Sequence, residues 1–301
     1  MKSSSIHALN ADRGLSQVQK IIYLFLNWAN NLFPYAKLDT RIHFKKFSPE
    51  RSHLEREWQN TYATSSASRK FSDLYWKTLP WEEIRQKLGG EIHIFDTGCG
   101  HGNYAVRIEE GSGGRITSYT GIDAKRRPNW DELEKKFSNF HFIESRSSDI
   151  LPLVPPGTNL FITQSAIEHF DEDIIFFERI REYAKSAKIP IMQIHLFPAA
   201  ATLPLYLFHG LRQYTPRTIS KITKLFPKAE LSLTGLGALF SKSLHFRYFT
   251  WPVLILRRYA KPTFDAIEYE PKLRRAVEHD IKHPSRSPLF WALTIFVLPH
   301  D

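Results

Sequence analysis

Asp96-Thr97-Gly98-Cys99-Gly100-His101-Gly102-Asn103 sets an acid and three alternate glycines between a strand-like run and a helix-like one. Glycines at this spacing let the backbone turn tightly and approach a ligand closely. The helix that follows offers unpaired amides suited to a carboxylate or phosphate. A dinucleotide fingerprint, G-x-G-x-x-G, needs its third glycine where Asn103 stands. A phosphate-binding P-loop needs a G-K-[ST] that does not follow. Asp123 closes a second strand-like run, YTGID, 25 positions after Gly98. Its two carboxylate oxygens can accept both hydroxyls of a ribose, which suits an adenosine-containing cofactor.

These residues need a parallel sheet to bring them together, and the chain supplies its signature, strands alternating with helices. Glu91 to Asp96 is the first strand, with a helix from about Tyr104 to Glu110. Tyr119 to Asp123 is the second, followed by a helix from Trp130 to Phe137. Phe140 to Glu144 is a third strand and Asn159 to Thr163 a fourth, with a helix from Glu172 to Ala187. Ile189 to His195 is a fifth, Ala229 to Gly235 a sixth, and the apolar run Leu289 to Leu298 a buried last strand. Upstream, aromatic helices are expected over Ser68 to Thr78 and Trp81 to Leu88, ended by Gly89-Gly90. The apolar residues between Val18 and Leu38 recur at helical spacing and predict an amphipathic helix. Residues 39 to 66 are charged, then rich in Ser and Thr, and read as a linker. The prolines at 198, 204, 216 and 227 break the rhythm after the fifth strand.

The pattern D-x-G-C-G-x-G resembles motif I of class I S-adenosylmethionine-dependent methyltransferases. That resemblance covers roughly residues 70 to 195. It implies that Asp96, Gly98, Gly100 and Gly102 hold the methionine end of S-adenosyl-L-methionine, and that Asp123 contacts its ribose. It implies an adenine contact at Ser148 and Asp149, with Ile150 packing on the ring. Gln164-Ser165-Ala166-Ile167-Glu168-His169-Phe170 is similar to motif IV of the small-molecule and ubiquinone-type members, which puts Gln164 beside the sulfonium. The fold implied is α/β: a Rossmann-like, seven-stranded, mostly parallel sheet with helices on both faces. Residues 1–66 are then a helical N-terminal extension and 67–301 the methyltransferase domain, with helical acceptor-binding insertions within 196–288.

The acceptor is narrowed by exclusions. The loop after the fourth strand is not the [DN]-P-P-[YF] type that serves amide and adenine nitrogens. Cys99 belongs to the glycine turn and leaves no cysteine for a cytosine mechanism. The fifth strand does not end in the Asp-Asn of metal-dependent catechol-type members, and His279 and His283 lack a third ligand, so no metal is expected. The remaining reaction is O-methylation of a small, sugar or lipid-linked acceptor, for which a base often removes the acceptor's proton. His195, at the expected carboxyl edge of the fifth strand, is the first candidate base, and His169 the second. The insertion HGLRQYTP, with His209, Arg212 and Tyr214, is expected over the acceptor pocket.

Forty-one Lys and Arg against 31 Asp and Glu give a formal charge of +10. That excess suits anionic partners, whether metabolite, membrane surface or nucleic acid. The basic residues are dispersed in pairs and triplets with no long block, which disfavours a nucleic-acid tail. An RNA-directed methyltransferase and a non-catalytic partner subunit of the same fold are the competing readings. The lone Cys99 excludes a disulfide framework. No apolar run reaches the roughly 18 to 20 residues of a membrane span, and the first residues lack the apolar core of a signal peptide. The expectation is a cytoplasmic enzyme acting on a small-molecule or carrier-linked acceptor, with peripheral contact to a membrane surface as the further partner.

Overall fold

The alternation written in the sequence closes into one eight-stranded sheet. A computed structural model describes residues 16, 18–19, 21–22, 25–26, 29, 38–59, 65–147, 150–170, 172–205, 212–252 and 265–299. The strands are β1 Ile42–Lys46, β2 His93–Thr97, β3 Ser118–Asp123, β4 Phe140–Glu144, β5 Leu160–Gln164, β6 Ile191–Pro198, β7 Glu230–Leu236 and β8 Phe290–Val297. Their spatial order is β1-β7-β8-β6-β5-β2-β3-β4. Every neighbouring pair is parallel except the two made by β8, which runs against β6 and β7. The chain winds outward from β2 to β4, then returns to β5 on the other side of β2. Ligands of doubly wound sheets bind in the crevice at such a reversal, beyond the carboxyl ends of the strands.

The Rossmann-like architecture is as expected, with one strand more. The extra strand, β1, lies in the segment read as a linker. IHFKK buries Ile42 alone and exposes the other four residues, so its sequence carries no core signal. Its backbone nevertheless pairs with β7 from Ile42–Leu231 to Lys46–Gly235. The helix α1, Arg51–Gln59, follows in the same segment and buries Glu57 and Trp58.

Alternate residues of each strand face opposite sides of the sheet, and two cores result. One face buries Ile94, Tyr119, Ile162 and Ile194 under Phe71, Leu74 and Trp76 of α2, Ala67–Lys77. The other buries Phe95, Ile122 and Phe161 under Ile174, Phe177 and Ile180 of α6, Asp173–Ala187. Between these lie α3 (Trp81–Lys87), α4 (Asn103–Ser112) and α5 (Trp130–Lys136) in chain order. Ser66 caps α2 through the Arg69 amide.

The helix α2 is fixed by buried charge as well as apolar contact. Lys70, with no exposed surface, meets Glu57 at 3.0 Å and stands 4.7 Å above the Trp58 ring; Lys77 reaches the other Glu57 oxygen at 2.6 Å. Asp73 pairs with Arg107 of α4 at 2.6 Å. Removing one member would leave a buried charge uncompensated, which typically costs about 3–5 kcal/mol. Before β7 comes α7 (Pro216–Thr223), and past β7 come α8 (Leu239–His245), a π-helical turn (Phe246–Thr250) and α9 (Ala266–Lys282), the helical insertion expected there. Asp280 of α9 accepts from the Ala238, Phe240 and Ser241 amides and so caps α8.

Candidate functional site

At the carboxyl end of β2 the chain turns through Gly98, Gly100 and Gly102, all with positive φ (+82°, +56° and +74°). Only glycine takes these angles at little cost. The Ile122 carbonyl receives the Gly98 and Cys99 amides at 2.7 and 3.0 Å, and the Trp130 indole donates to the Gly100 carbonyl at 2.9 Å. A Cβ on Gly102 would lie 2.7 Å from Leu133 Cδ1, whereas one on Gly100 would meet nothing within 4 Å. Gly100 therefore faces open space at the mouth of the turn. Gly102 caps the N-terminus of α4.

Asp123, at the end of β3, meets this turn directly. Its Oδ2 accepts the Gly100 amide at 3.0 Å, and its Oδ1 accepts the Lys125 amide at 3.2 Å with Arg127 at 3.5 Å. An ionised carboxylate has about four acceptor positions; the two amides take two and the Arg127 ion pair competes for a third, so at least one is left for a hydroxyl. Asp96 is 1% exposed. The Tyr119 hydroxyl donates to its Oδ2 at 2.6 Å, while Oδ1 is buried without a hydrogen-bond partner. Burial pushes the Asp96 carboxyl up to about 7, with the neighbouring Asp123 charge adding to the rise and the Tyr119 bond opposing it. A buried acceptor left open at a strand end is a place for a cationic donor.

Across the crevice, β5 ends at Gln164. Its Oε1 accepts from the Trp76 indole at 2.6 Å, and its Nε2 donates to Ser72 Oγ at 3.1 Å and Ser165 Oγ at 3.2 Å. The side chain of Gln164 is thus a bridge from β5 to α2. Ser165 has φ +48°, an uncommon angle for a residue other than glycine. The Ser165 amide is held by the Leu196 carbonyl at 2.9 Å. The next residues form a 3-10 turn, Ile167–His169.

The strand parity separates the candidates. Asp96, Asp123 and Gln164 all lie on the sheet face covered by α2, as Ile94, Tyr119 and Ile162 do. His195 lies on the other face. The strand β6 continues three residues past it to Pro198, so His195 sits within the strand instead of at its edge. It has no exposed surface, with Nδ1 3.0 Å from Thr163 Oγ1 and Nε2 3.3 Å from Gln193 Oε1. The rings of Phe176 and Phe177 stand edge-on to it at 5.8 and 4.9 Å. Burial lowers its pKa to about 3. Enclosed and neutral, His195 has no route to an acceptor proton, and its assignment as base is corrected on that ground. His169 is partly exposed on the turn after β5.

Three further expectations meet the structure. Ile150 is fully buried among Phe95, Ile122 and Phe161, so it offers no free surface to a ring. Ser148 and Asp149, like His209, lie outside the described residues. Arg212 and Tyr214, expected over the acceptor, are core residues instead. Arg212 pairs with Asp173 at 3.3 Å, and the Tyr214 hydroxyl sits 3.0 Å from Asp173 and 3.1 Å from the Ile167 carbonyl. Burial also raises the Cys99 thiol, which removes it as a nucleophile. Trp76, Ser72 and Tyr119 complete the site and carry no motif; only their contacts identify them. Among the described residues, no three His, Cys, Asp or Glu side chains gather as metal ligands do.

No protein-family model matches the chain, and no curated protein matches it. Solved structures do. The plantazolicin methyltransferase BpumL, in complex with a triazolic desmethylPZN analog and SAH, is 13% identical, covers 93% of this chain and 98% of its own, and has a TM-score of 0.47. The YcgJ protein from Bacillus subtilis is 13% identical over 72% of this chain and 97% of its own, with a TM-score of 0.43. A SAM-dependent methyltransferase from Aquifex aeolicus is 17% identical over 44% of this chain and 73% of its own, with a TM-score of 0.32.

Proposed function

We propose that the chain is a class I S-adenosylmethionine-dependent methyltransferase acting on an oxygen of a small, sugar or lipid-linked acceptor. The observation that carries this is the contact of the Asp123 carboxylate with the Gly100 amide. It joins the acid expected to take the ribose to the glycine turn expected to take the amino-acid end. The residues present fit such a cofactor: Asp96 keeps a buried oxygen open for an ammonium group, and Gly100 borders open space.

Bound there, S-adenosyl-L-methionine supplies an electrophilic methyl group. The protein's own part is chiefly alignment. Gln164, immobilised between Trp76, Ser72 and Ser165, holds the end of β5 in one conformation. The acid Asp96 matches the charge of a cationic cofactor once it has lost its proton. His169, partly exposed on the turn after β5, is the residue assigned in this reading to receive the acceptor's proton. The loop Gln164-Ser165-Ala166-Ile167 supports oxygen over amide or adenine nitrogen, since the prolines of the nitrogen-directed loop are missing.

The test is transfer of radiolabelled methyl from the cofactor into fractionated cell extract. Label in a small-molecule or lipid fraction, reduced by Asp123→Ala at limiting cofactor, supports the reading. Label confined to RNA would replace the acceptor class and leave the cofactor assignment standing.

A further inference from the structure

Val18, Ile21, Ile22, Phe25, Leu26 and Ala29 are helical. The spacing i, i+3, i+4, i+7, i+8, i+11 puts all six on one face. Such a face ordinarily covers a core, yet all six are exposed, Val18 at 66% and Phe25 at 63%. The same run contains Tyr23 and Trp28, residue types that favour the headgroup level of a bilayer. Between Ser16 and Lys46 the charges are Lys20, Lys37, Arg41, Lys45 and Lys46 against Asp39. Arg41 is engaged by Asp39 and by the carbonyls of Thr223, Phe226 and Pro227. Lys45 and Lys46 are exposed on the edge strand β1, beside an exposed Phe44.

We infer that this helical face docks the enzyme on an anionic lipid bilayer. The apolar stripe enters the headgroup boundary, and the lysines of the following segment meet anionic headgroups. Twelve helical positions measure only about 18 Å, short of the roughly 30 Å hydrocarbon core, so an apolar stripe of this length lies in the plane of the surface and does not cross it. A nucleic acid would satisfy the lysines and leave the apolar stripe in water.

The experiment is sedimentation of the full chain with vesicles of phosphatidylcholine, alone or equimolar with phosphatidylglycerol. Binding to the anionic vesicles is expected, weakened by salt, with Phe25→Glu lowering it by roughly tenfold or more. The Lys45→Glu/Lys46→Glu variant is expected to lose the preference for phosphatidylglycerol. Both variants alter exposed side chains, so their melting midpoints and S-adenosyl-L-methionine affinity should match the parent's. Absence of vesicle binding overturns the inference, as does binding indifferent to Phe25→Glu. A dimer in solution that Phe25→Glu dissolves also overturns it, by giving the face to a second copy. Binding to RNA without binding to vesicles does so as well.

Discussion

Gly98 and Ala166 touch across the switch point of the sheet: a Cβ on Gly98 would stand 2.5 Å from Ala166 Cβ. No real pair of carbons tolerates that distance, so the turn after β2 and the turn after β5 pack backbone to side chain. Gly98 also holds a φ of +82°. Gly98→Ala is therefore expected to spread the two turns, lower thermal stability and abolish measurable cofactor binding. Ala166→Gly in the same chain should restore part of the binding by removing the obstructing carbon. Thermal melts and titration of the single and double variants check this.

Asp123→Ala should cost about 1.5–3 kcal/mol of S-adenosyl-L-methionine affinity, the range for hydrogen bonds to a charged group. The side chain lies at a strand end, outside both cores, so the melting curve should change little. Unchanged affinity would remove Asp123 from the site.

Asp96 makes binding depend on pH. Its folded-state pKa, raised by burial to about 7, lies above its unfolded value of about 3.9. The stability it contributes is thus complete below about pH 4 and is lost as pH rises through 7. A cationic cofactor favours the ionised form, so affinity should fall as pH drops from 8 to 6, with proton release on binding. Asp96→Asn should abolish that pH dependence. Calorimetry in buffers of different ionisation enthalpy measures the proton count.

His195 should prove structural. Its pKa of about 3 in the folded chain lies below the unfolded value of about 6.5. Its contribution to stability is full above pH 6.5 and drains as pH falls toward 3. Denaturant unfolding at pH 7 and pH 5 should differ by on the order of 2 kcal/mol from this group, a difference that His195→Gln removes. Turnover at neutral pH should fall far less than the roughly hundredfold or more expected on losing a base.

What was legible in the sequence was local. The glycine turn and the strand–helix alternation each declare themselves within about ten residues. The strand β1 was hidden because four of its five residues face water, and its partner β7 lies far along the chain. His195 was misplaced because Gln193 and His195 interrupt the apolar run and suggest a strand end. In the structure the His195 ring meets Thr163 Oγ1 and Gln193 Oε1 inside the sheet, and the strand goes on to Pro198. The bridge from Trp76 to Gln164 joins positions 88 residues apart. Neither residue type announces the other.

The most direct measurement is a calorimetric titration of the purified chain with S-adenosyl-L-methionine, S-adenosylhomocysteine and NAD. Saturable binding of the first two at one site, no binding of NAD, and a weakening of both by about 1.5–3 kcal/mol on Asp123→Ala is the predicted result. Saturable NAD binding with none for S-adenosyl-L-methionine would contradict the assignment of the glycine turn, and with it the function proposed.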